Sequence, residues 1–294
     1  MPRDFVSVVT PTYNRRKFIP ILIHLYQQQT YPAEFRELII LDDSPSSNED
    51  LIPKNDKSIR YYYSAERIAL GEKRNQLNNL AKGDVIVCFD DDDFHFPERI
   101  TYSITRMNAE KADIAGCTTL DIYYTDIKKT FQYGPYGRNH GTNGTFTYRK
   151  KYLQNHKHDP EKHAQEEPSF TNNFSEKMAL LNPDRVILCI SHDSNTFDKH
   201  RLLGQEKREV SFDIKKRIRD KKYIQFLKDI TEEAQPDKLI QEKQLKELAE
   251  IEKFHEDRKK AQEVKPFVLT SDPVLIAEPN NNELKSNGIF TNKE

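Results

Sequence analysis

Short apolar runs alternate with helical patterns along the first part of the chain. Four runs rich in β-branched and aromatic side chains predict strands, at residues 5–10, 38–41, 59–63 and 85–89. Apolar residues also recur at helical spacing over residues 15–29 and 71–81, which predicts two amphipathic helices. Strands and helices in this alternating order are typical of an α/β sheet with right-handed crossovers. The pattern therefore predicts a mostly parallel central sheet of the α/β class.

The patterns that follow extend this predicted domain to about residue 203. Two further strands are predicted, over residues 113–124 and 186–190. The first of them leads toward a hairpin. Gly and Asn are frequent between residues 134 and 144, which predicts a mobile loop.

The composition changes after residue 203, where Lys, Glu, Arg and Gln become frequent. We predict one domain over residues 1–203, a charged helical extension over 204–265 and a disordered tail over 266–294. The extension carries one apolar helical stripe that should pack on the domain, formed by Tyr223, Phe226, Leu227 and Ile230. A thinner stripe belongs either to a solvated helix or to an arm for self-association, and consists of Leu245, Leu248 and Ile251.

Charge, hydropathy and cysteine usage exclude several classes of protein. With 46 basic and 47 acidic residues the chain is near neutral, so it has no bulk field for nucleic acid or anionic lipid. No apolar run approaches the ~20 residues of a membrane span, and no signal-peptide pattern is present. Cys88, Cys117 and Cys189 are isolated within apolar runs, without zinc spacing. These features predict a cytoplasmic protein with buried thiols.

Four consecutive aspartates, Asp90 to Asp93, directly follow the predicted strand over residues 85–89. Adjacent carboxylates repel one another, so the cluster favours a neutralising cation, and oxygen ligands select hard ions such as Mg²⁺ or Mn²⁺. On an extended chain Asp90 and Asp92 point the same way, at the sheet edge where α/β folds place their ligands. A solvated acidic loop is the alternative interpretation.

Glycine-rich phosphate-binding motifs do not occur in the chain. Neither G-x-G-x-x-G nor G-x-x-x-x-G-K-[ST] is present, so the sequence offers neither a dinucleotide fingerprint nor a P-loop. If the polar edge of the predicted sheet binds a diphosphate, a metal ion must hold it. The aspartate cluster would supply the ligands of that ion.

Four motifs occur in a characteristic order and spacing. They are V-S-V-V-T-P-T-Y-N-R at residues 6–15, L-I-I-L-D-D-S at 38–44, G-x-x-R-N at 71–75 and G-D-x-I-x-x-x-D-D-D-D-x-x-x-P at 83–97. This ordered set resembles glycosyltransferase family 2, whose members have the GT-A fold. The likeness covers about the first 110 residues and continues more weakly to about residue 203. The resemblance implies a single Rossmann-like domain of the GT-A type. It also implies a strand under the acceptor over residues 141–149, for which an ordinary hairpin turn is the alternative interpretation.

The resemblance also implies roles for individual residues. Asp92 is the implied metal ligand of a D-x-D motif, with Asp90 and His192 as further ligands and Mn²⁺ or Mg²⁺ as the ion. A surface histidine is the alternative interpretation of His192. Asp43 is implied to accept a hydrogen bond from the uracil ring of a UDP-sugar. For Arg74, a salt bridge on the helix surface is the alternative role. The implied nucleotide-binding residues are Pro11, Thr12, Tyr13, Asn14, Asp43, Arg74, Asp90 and Asp91.

A second acidic site is A-Q-E-E-P-S-F at residues 164–170, which resembles the acidic pair of the family at the start of a helix. Glu167 aligns with the catalytic base, and Glu166 is the alternative base. Inverting sugar transfer needs a group that takes the proton of the acceptor hydroxyl, and a positioned glutamate can do so. Acidic residues in the first turn of a helix also favour its dipole, which is the alternative role of the pair.

Three histidines, His156, His158 and His163, lie close to Asp159 in the sequence. Histidine and aspartate together can bind transition metals. A solvated loop is the favoured interpretation of this segment, and a metal site is the alternative.

The chain departs from the family pattern at three points. No Gly separates Asp43 from Ser44, and Asp91 stands where alanine is frequent, which leaves open which carboxylates bind the ion. The chain has no tryptophan, so the Q-x-x-R-W signature of processive polysaccharide synthases is absent. The last departure favours the transfer of single sugars over polymer extrusion.

These features together predict a metal-dependent, inverting glycosyltransferase. It would move a single sugar from a nucleotide-sugar, most readily a UDP-sugar, to a hydroxyl group of a glycan, a protein or a small molecule. One alternative is a sugar nucleotidyltransferase, although Pro11 to Asn14 do not form the Gly-rich loop usual in that class. Another is a non-catalytic nucleotide-sugar-binding protein whose C-terminal tail carries the function.

Overall fold

The computed structural model describes residues 3–210 and 214–233 of the 294-residue chain. The predicted second stripe and the predicted disordered tail lie outside these residues. The described strands are β1 (Val6–Thr12), β2 (Arg36–Asp42), β3 (Ile59–Tyr63), β4 (Val85–Cys88), β5 (Phe94–His95), β6 (Ile114–Gly116), β7 (Leu120–Tyr124), β8 (Lys129–Tyr133), β9 (Thr147–Arg149), β10 (Ala179–Leu180), β11 (Ile187–Ser191) and β12 (Arg208–Glu209). The described α-helices are α1 (Ile19–Gln27), α2 (Leu70–Leu80), α3 (Arg99–Glu110), α4 (Glu167–Phe170), α5 (Ile214–Arg217) and α6 (Lys221–Glu233).

A seven-stranded sheet forms the centre of the fold, in the order β10-β6-β9-β4-β1-β2-β3. The strands β1 to β4 are parallel, and β9 runs antiparallel between β4 and β6. Every residue of β2 and β4 is buried, as expected for strands between two packed layers. The predicted α/β fold with a mostly parallel sheet is confirmed. The alternative of an ordinary hairpin turn over residues 141–149 is wrong, because β9 lies in the middle of the sheet.

Alternate side chains of β2 divide between two hydrophobic cores. Leu38 and Ile40 pack in the same core as the apolar face of α1. Ile39 and Leu41 pack in a second core, which contains Leu77 of α2. Because successive side chains of a strand point to opposite faces of the sheet, α1 and α2 cover opposite faces. The two helices predicted from periodicity are thereby confirmed, with ends that differ by a few residues.

A second sheet has five strands in the order β12-β8-β7-β11-β5. The run over residues 113–124 was predicted as one strand, and it contains two strands that belong to different sheets, β6 and β7. The hairpin predicted to follow consists of β7 and β8, and the strand predicted over residues 186–190 corresponds to β11. This sheet matters for the site because β11 leads directly to His192.

Helix α6 packs on the domain through the predicted apolar stripe. Tyr223, Leu227 and Ile230 are buried, in a cluster that also contains Phe18 before α1 and Phe94 of β5. The stripe prediction is therefore confirmed for this helix. The cluster lies between α1 and the second sheet, close to the segment that follows β11.

The three cysteines are free and buried, as predicted. Burial raises the pKa of all three thiols, and it raises the pKa of Cys117 to about 12, so the thiols stay protonated. Over residues 3–210 and 214–233, we find no helix that combines the length and the apolar character required to cross a bilayer.

Candidate active site

The polar ends of β1 and β4 open into one pocket with a volume of about 280 Å³. Because β1 and β4 are parallel, Thr12 at the end of β1 and the residues after Cys88 lie at the same edge of the sheet. The predicted site residues that line the pocket are Pro11, Thr12, Tyr13, Asp90, Asp91, Asp92 and Glu167. The other predicted site residues lie behind or beside the wall, and they are Asn14, Asp43, Arg74, Glu166 and His192.

The four aspartates form a turn, because β4 already ends at Cys88. The expectation that Asp90 and Asp92 share a direction through strand alternation is therefore wrong. Arg99 of α3 is fully buried behind this turn. Its guanidinium donates to the backbone carbonyl of Cys88 and, over 2.6 Å, to the backbone carbonyl of Gly144. Arg99 thus ties the end of β4, just before the aspartate turn, to the segment of Gly144, which also lines the pocket.

Asp90 lies between Arg74 and Gly144. The NH2 group of Arg74 is 3.4 Å from Asp90 Oδ1, and its Nε is 2.6 Å from Glu166 Oε1. Arg74 is only 7% exposed, so the alternative of a salt bridge on the helix surface is wrong. A Cβ atom on Gly144 would overlap Asp90 Oδ2, so Asp90 can keep its place only while residue 144 is glycine.

Asp92 accepts contacts from three side chains. Its Oδ2 lies 3.4 Å from Arg15 NH2, 3.2 Å from His192 Nε2 and 3.0 Å from Asn195 Nδ2. Burial acts to raise the pKa of Asp92, but Lys199, His192 and Arg15 together hold that pKa below its ordinary value. Asp92 is therefore an anion at neutral pH.

Asp91 and Asp93 have environments that favour protonation. Asp91 Oδ2 accepts a hydrogen bond of 2.5 Å from the Thr12 hydroxyl, and Asp93 Oδ1 accepts one of 2.8 Å from the Ile190 N–H. Burial, with the neighbouring Asp92, raises the pKa of Asp91 well above its ordinary value. Burial likewise raises the pKa of Asp93 to about 7. The cluster therefore carries fewer than four negative charges, and protonation relieves part of the repulsion expected from the sequence.

The donor atoms of the pocket fit a divalent ion that is shared with a ligand. Over the part of the chain that the structure describes, no three His, Cys, Asp or Glu side chains converge on a metal position. Asp92 and His192 are nevertheless adjacent, and Asp90 opens onto the same pocket with 30% of its side chain exposed. Mg²⁺ is often held by only one or two carboxylates together with substrate phosphates. The set therefore suits an ion that binds together with a diphosphate.

The His192 side chain is buried, so the alternative of a surface histidine is wrong, and its ring has a defined polar edge. The Ser194 N–H donates to Nδ1 over 3.2 Å, so the neutral ring carries its proton on Nε2, which faces Asp92. Burial lowers the pKa of His192 despite the favourable contact with Asp92, which keeps the ring neutral. An ion bound through Nε2 would replace that proton and would require the other tautomer.

The two glutamates of the predicted catalytic pair have different surroundings. Glu166 is buried, and its Oε1 accepts from Arg74 Nε at 2.6 Å and from Asn143 Nδ2 at 3.1 Å. Glu167 begins α4, lines the pocket and accepts the backbone N–H of Asn143 at 3.1 Å. Burial and the adjacent Glu166 raise the pKa of Glu167. Of the two, Glu167 is the carboxylate that opens onto the pocket.

Tyr13, Arg67 and Asp43 form a connected group beside the pocket. The Arg67 guanidinium lies 3.5 Å from the centroid of the Tyr13 ring, and its NH1 is 2.7 Å from both carboxylate oxygens of Asp43. The Ile68 N–H and the Lys73 ammonium also donate to Asp43, whose side chain is fully buried. In this arrangement Arg67, which is 45% exposed at its side chain, stands between Asp43 and the pocket.

Asn14 turns the chain at the end of β1. Its φ of 54° is in the left-handed region, which asparagine tolerates better than most residues. Its N–H donates to Ser44 Oγ over 2.7 Å, and Ser44 Oγ donates to Asp42 Oδ1 over 2.5 Å. Asn14 thus connects the ends of β1 and β2 beneath the rim of the pocket.

The three histidines near Asp159 have three different environments. His158 is fully buried and stacks on Phe170 with ring centroids 4.1 Å apart. His156 stacks on Tyr152 at 3.7 Å, and His163 is exposed and lines the pocket. The prediction of a solvated loop is therefore wrong for His158, because its ring fills the space beside Phe170.

Sequence reasoning missed several basic and amide side chains of the pocket wall, namely Arg15, Arg67, Lys73, Asn195 and Lys199. Arg15 and Lys73 lie within the family motifs, and that position is the signal that could have identified them. Lys199 has no comparable signal. Its Nζ is 3.9 Å from Asp93 Oδ1 because β11 of the second sheet brings the following segment to the aspartate turn.

Comparison with known families agrees with this geometry. The family described as "Glycosyl transferase family 2" matches residues 7–165, which is more than half of the chain. The chain belongs to glycosyl transferase family 2. The resemblance inferred from the ordered motifs is thereby confirmed. The matched segment of this family 2 protein ends just before Glu166, so Glu167 and His192 lie beyond it.

Curated relatives of this family 2 protein match it over limited segments. A putative teichuronic acid biosynthesis glycosyltransferase, TuaG of Bacillus subtilis, is 33% identical over 95 residues, which are 31% of this chain and 37% of TuaG. Glycosyltransferase GlyG of Streptococcus pneumoniae is 25% identical over 115 residues, 38% of each chain. The chain therefore spans little more than a third of the length of these relatives.

Solved glycosyltransferase structures share the fold. Residues 1–349 of TarS from S. aureus, in complex with UDP-GlcNAc, align with a TM-score of 0.52 and 18% identity, over 68% of this chain and 64% of that chain. The mannosyltransferase PcManGT from Pyrobaculum calidifontis, in complex with GDP-Man and Mn²⁺, aligns with a TM-score of 0.53 and 14% identity, over 69% and 61%. At these identities the likeness concerns the fold, and it confirms the GT-A type.

Proposed function

We propose that this family 2 protein transfers a single sugar from a nucleotide-sugar to a hydroxyl group of a glycan, a protein or a small molecule, with inversion at the anomeric carbon. The observation that carries the proposal is the presence in one pocket of the aspartate turn and of Glu167. Asp92 is held as an anion, whereas burial and Glu166 raise the pKa of Glu167. Carboxylates with such different environments suit two different tasks.

Glu167 is the proposed general base. The acceptor oxygen attacks the anomeric carbon of the donor while the proton of the acceptor hydroxyl passes to the Glu167 carboxylate. The bond between the anomeric carbon and the phosphate oxygen breaks, and the nucleoside diphosphate leaves with the electron pair. Attack from the face opposite the leaving group inverts the configuration. A raised pKa makes Glu167 a stronger base than an exposed glutamate would be.

Asp92, with Asp90 and His192, would hold Mn²⁺ or Mg²⁺. When bound, such an ion supplies positive charge that polarises and neutralises a phosphate leaving group. Two basic side chains also bring positive charge to the aspartate turn, since Arg15 lies 3.4 Å from Asp92 and Lys199 lies 3.9 Å from Asp93. These side chains can also bind phosphate oxygens.

We propose a UDP-sugar as the donor. The nucleoside would border Pro11, Thr12 and Tyr13 at the end of β1, where Tyr13 is 38% exposed and offers its ring. For Asp43 to accept a hydrogen bond from uracil, Arg67 must first move away from it. The TarS structure contains UDP-GlcNAc, whereas the PcManGT structure contains GDP-Man. The shared fold therefore does not fix the nucleoside of the donor, and the preference of this chain has to be measured.

A screen of nucleotide-sugars with the purified chain tests the proposal. Each donor is incubated with Mn²⁺ or Mg²⁺, and the products are separated by ion-exchange chromatography. Release of the nucleoside diphosphate, with UDP-sugars the preferred donors, is the expected result. Release of pyrophosphate from a sugar phosphate and a nucleoside triphosphate would instead establish a nucleotidyltransferase. Binding of donors without turnover in any acceptor mixture would establish a non-catalytic binding protein.

A further inference from the structure

Helix α6 lies outside the residues that match family 2, which end at residue 165. It also lies beyond the domain end predicted at residue 203. Its position is nevertheless directly behind the proposed donor site. Tyr223 and Leu227 are 1% and 4% exposed, and they pack in the cluster that contains Ile190 of β11, two residues before His192.

An aromatic contact path connects α6 with the aspartate turn. The ring of Phe226 meets the ring of Phe18 edge to face, with centroids 5.4 Å apart. The ring of Phe18 also stacks on the His192 ring, with centroids 4.7 Å apart and an interplanar angle of 29°. His192 Nε2 in turn lies 3.2 Å from Asp92 Oδ2. The path therefore runs from Phe226 through Phe18 and His192 to Asp92.

The contacts of His192 divide between the edge and the face of its ring. Nitrogen atoms at the edge contact Asp92, the amide of Asn195 and the N–H of Ser194. Edge contacts fix where the nitrogen atoms lie, whereas an apolar side chain against the face limits rotation of the ring about its own bonds. Phe18, which is 1% exposed and cannot move freely, provides that face contact.

We propose that Phe18 and Phe226 are positioning residues that hold the His192 ring against Asp92, so that α6 is a working part of the donor site. The inference rests on the proposed function, because it assumes that Asp92 and His192 face a bound divalent ion. Mutation of the partners that orient a metal-binding imidazole typically costs about 10- to 100-fold in metal affinity or activity. Here Phe18 contacts the ring directly, and Phe226, which packs against Phe18, comes from a helix beyond the matched family segment.

The test compares Phe226→Leu with Leu227→Val in the full-length protein. Both variants shorten an apolar side chain of α6, but Leu227 has no ring to place on Phe18. Affinity for Mn²⁺ alone is measured by electron paramagnetic resonance of the free ion, and folding is followed by thermal melting. We expect Phe226→Leu to raise the Kd for Mn²⁺ about 10-fold, whereas Leu227→Val lowers Tm without a change in Kd. Phe226→Tyr keeps the ring and should restore the Kd.

A double-mutant cycle separates positioning from general packing. In a His192→Ala background there is no imidazole to position, so Phe226→Leu should cause no further change in the Kd for Mn²⁺. An unchanged Kd in Phe226→Leu alone would overturn the inference. An equal rise of the Kd with and without His192 would also overturn it, because the effect would then not pass through the ring.

The same data distinguish this inference from the proposed function. If Asp92→Ala and His192→Ala both weaken Mn²⁺ binding, the proposed site stands whatever Phe226→Leu does. If neither of them weakens Mn²⁺ binding, the metal assignment fails, and the role of Phe226 fails with it. Kinetics provide a second readout: Phe226→Leu should raise the Mn²⁺ concentration for half-maximal sugar transfer while kcat at saturating Mn²⁺ changes little.

Discussion

Glu166 and Glu167 are consecutive residues that the fold directs to different surroundings. Glu166 is tied to Arg74 and Asn143 inside the protein, whereas Glu167 opens onto the pocket. The negative charge of Glu166 is one cause of the raised pKa of Glu167, after burial. At the scale of single residues, the buried glutamate therefore serves to tune the one that is exposed to the pocket.

The pH dependence of sugar transfer tests this relation. A base must be ionised to act, so kcat/KM should fall as the pH drops through the pKa of Glu167, at a pH above the ordinary glutamate value of about 4.3. Glu166→Gln removes the neighbouring negative charge, so it should lower the pKa of Glu167 and move this acid limb to lower pH. Glu34→Gln, at an exposed position, should leave the limb in place. An acid limb that does not move in Glu166→Gln would contradict the account.

Gly144 supports a second prediction, because a Cβ atom there would overlap Asp90 Oδ2. The Asp90 carboxylate ends a flexible side chain, so Gly144→Ala should displace it without unfolding the protein. Misplacement of a binding group by about 1 Å can cost on the order of 100-fold in rate, and we expect a loss of that order in kcat/KM for the donor. Gly204→Ala is the matched control, since a Cβ there meets nothing within 4 Å. Equal activity of the two variants would rule out a role for the position of Asp90.

At the scale of elements, the pocket wall depends on contacts between short segments. His158 stacks on Phe170 of α4, and its Nε2 is 3.2 Å from Asn143 Oδ1, in the turn that precedes β9. Asn143 also binds both Glu166 and Glu167. His158 therefore joins α4 to the Asn143 turn, and both glutamates depend on this junction.

Stability against pH tests the junction. Burial, with a smaller effect of Arg74, lowers the pKa of His158 to about 2, so the folded protein keeps the ring neutral. Below about pH 6.5 the unfolded chain binds a proton at His158 that the folded protein does not bind. Over this range, each pH unit lowers the free energy of unfolding by about 1.4 kcal/mol. Stability should therefore fall as the pH drops. Between pH 7 and pH 5, the wild-type protein should lose about 2 kcal/mol more of its free energy of unfolding than the His158→Gln variant loses. Denaturant unfolding at the two pH values measures the difference, and equal losses would contradict the assignment.

At the scale of the whole molecule, sequence patterns were sufficient to predict the central sheet and its polar edge. The strands β1 to β4 are short apolar runs bounded by polar residues, and their bounds differ from the predicted ones by at most two residues. The position of the aspartates at the carboxyl end of β4 was predictable because the apolar run and the aspartates are adjacent in the sequence. Ordered motifs at the same strand ends were sufficient for the family.

Features that depend on contacts distant in sequence were not predictable in this way. Residues 113–124 contain no strong turn signal between β6 and β7, so the second sheet was missed. His158 has charged sequence neighbours, yet its ring is buried by Phe170, which no local pattern indicates. The contact of His192 with Asp92 joins residues 100 positions apart, and only the family resemblance, not a local pattern, implied that the two lie together. Local patterns thus predicted which residues are polar and at which strand ends, but not which of them contact each other.

The central claim is that one pocket uses Asp92 and Glu167 for sugar transfer, and a single assay tests it most directly. Release of nucleoside diphosphate from the preferred nucleotide-sugar is measured with acceptor and Mn²⁺ for the wild type, Asp92→Ala and Glu167→Gln, alongside nucleotide binding. The account predicts that Asp92→Ala abolishes transfer and that Glu167→Gln nearly abolishes it while nucleotide binding is retained. Full turnover in either variant would contradict it.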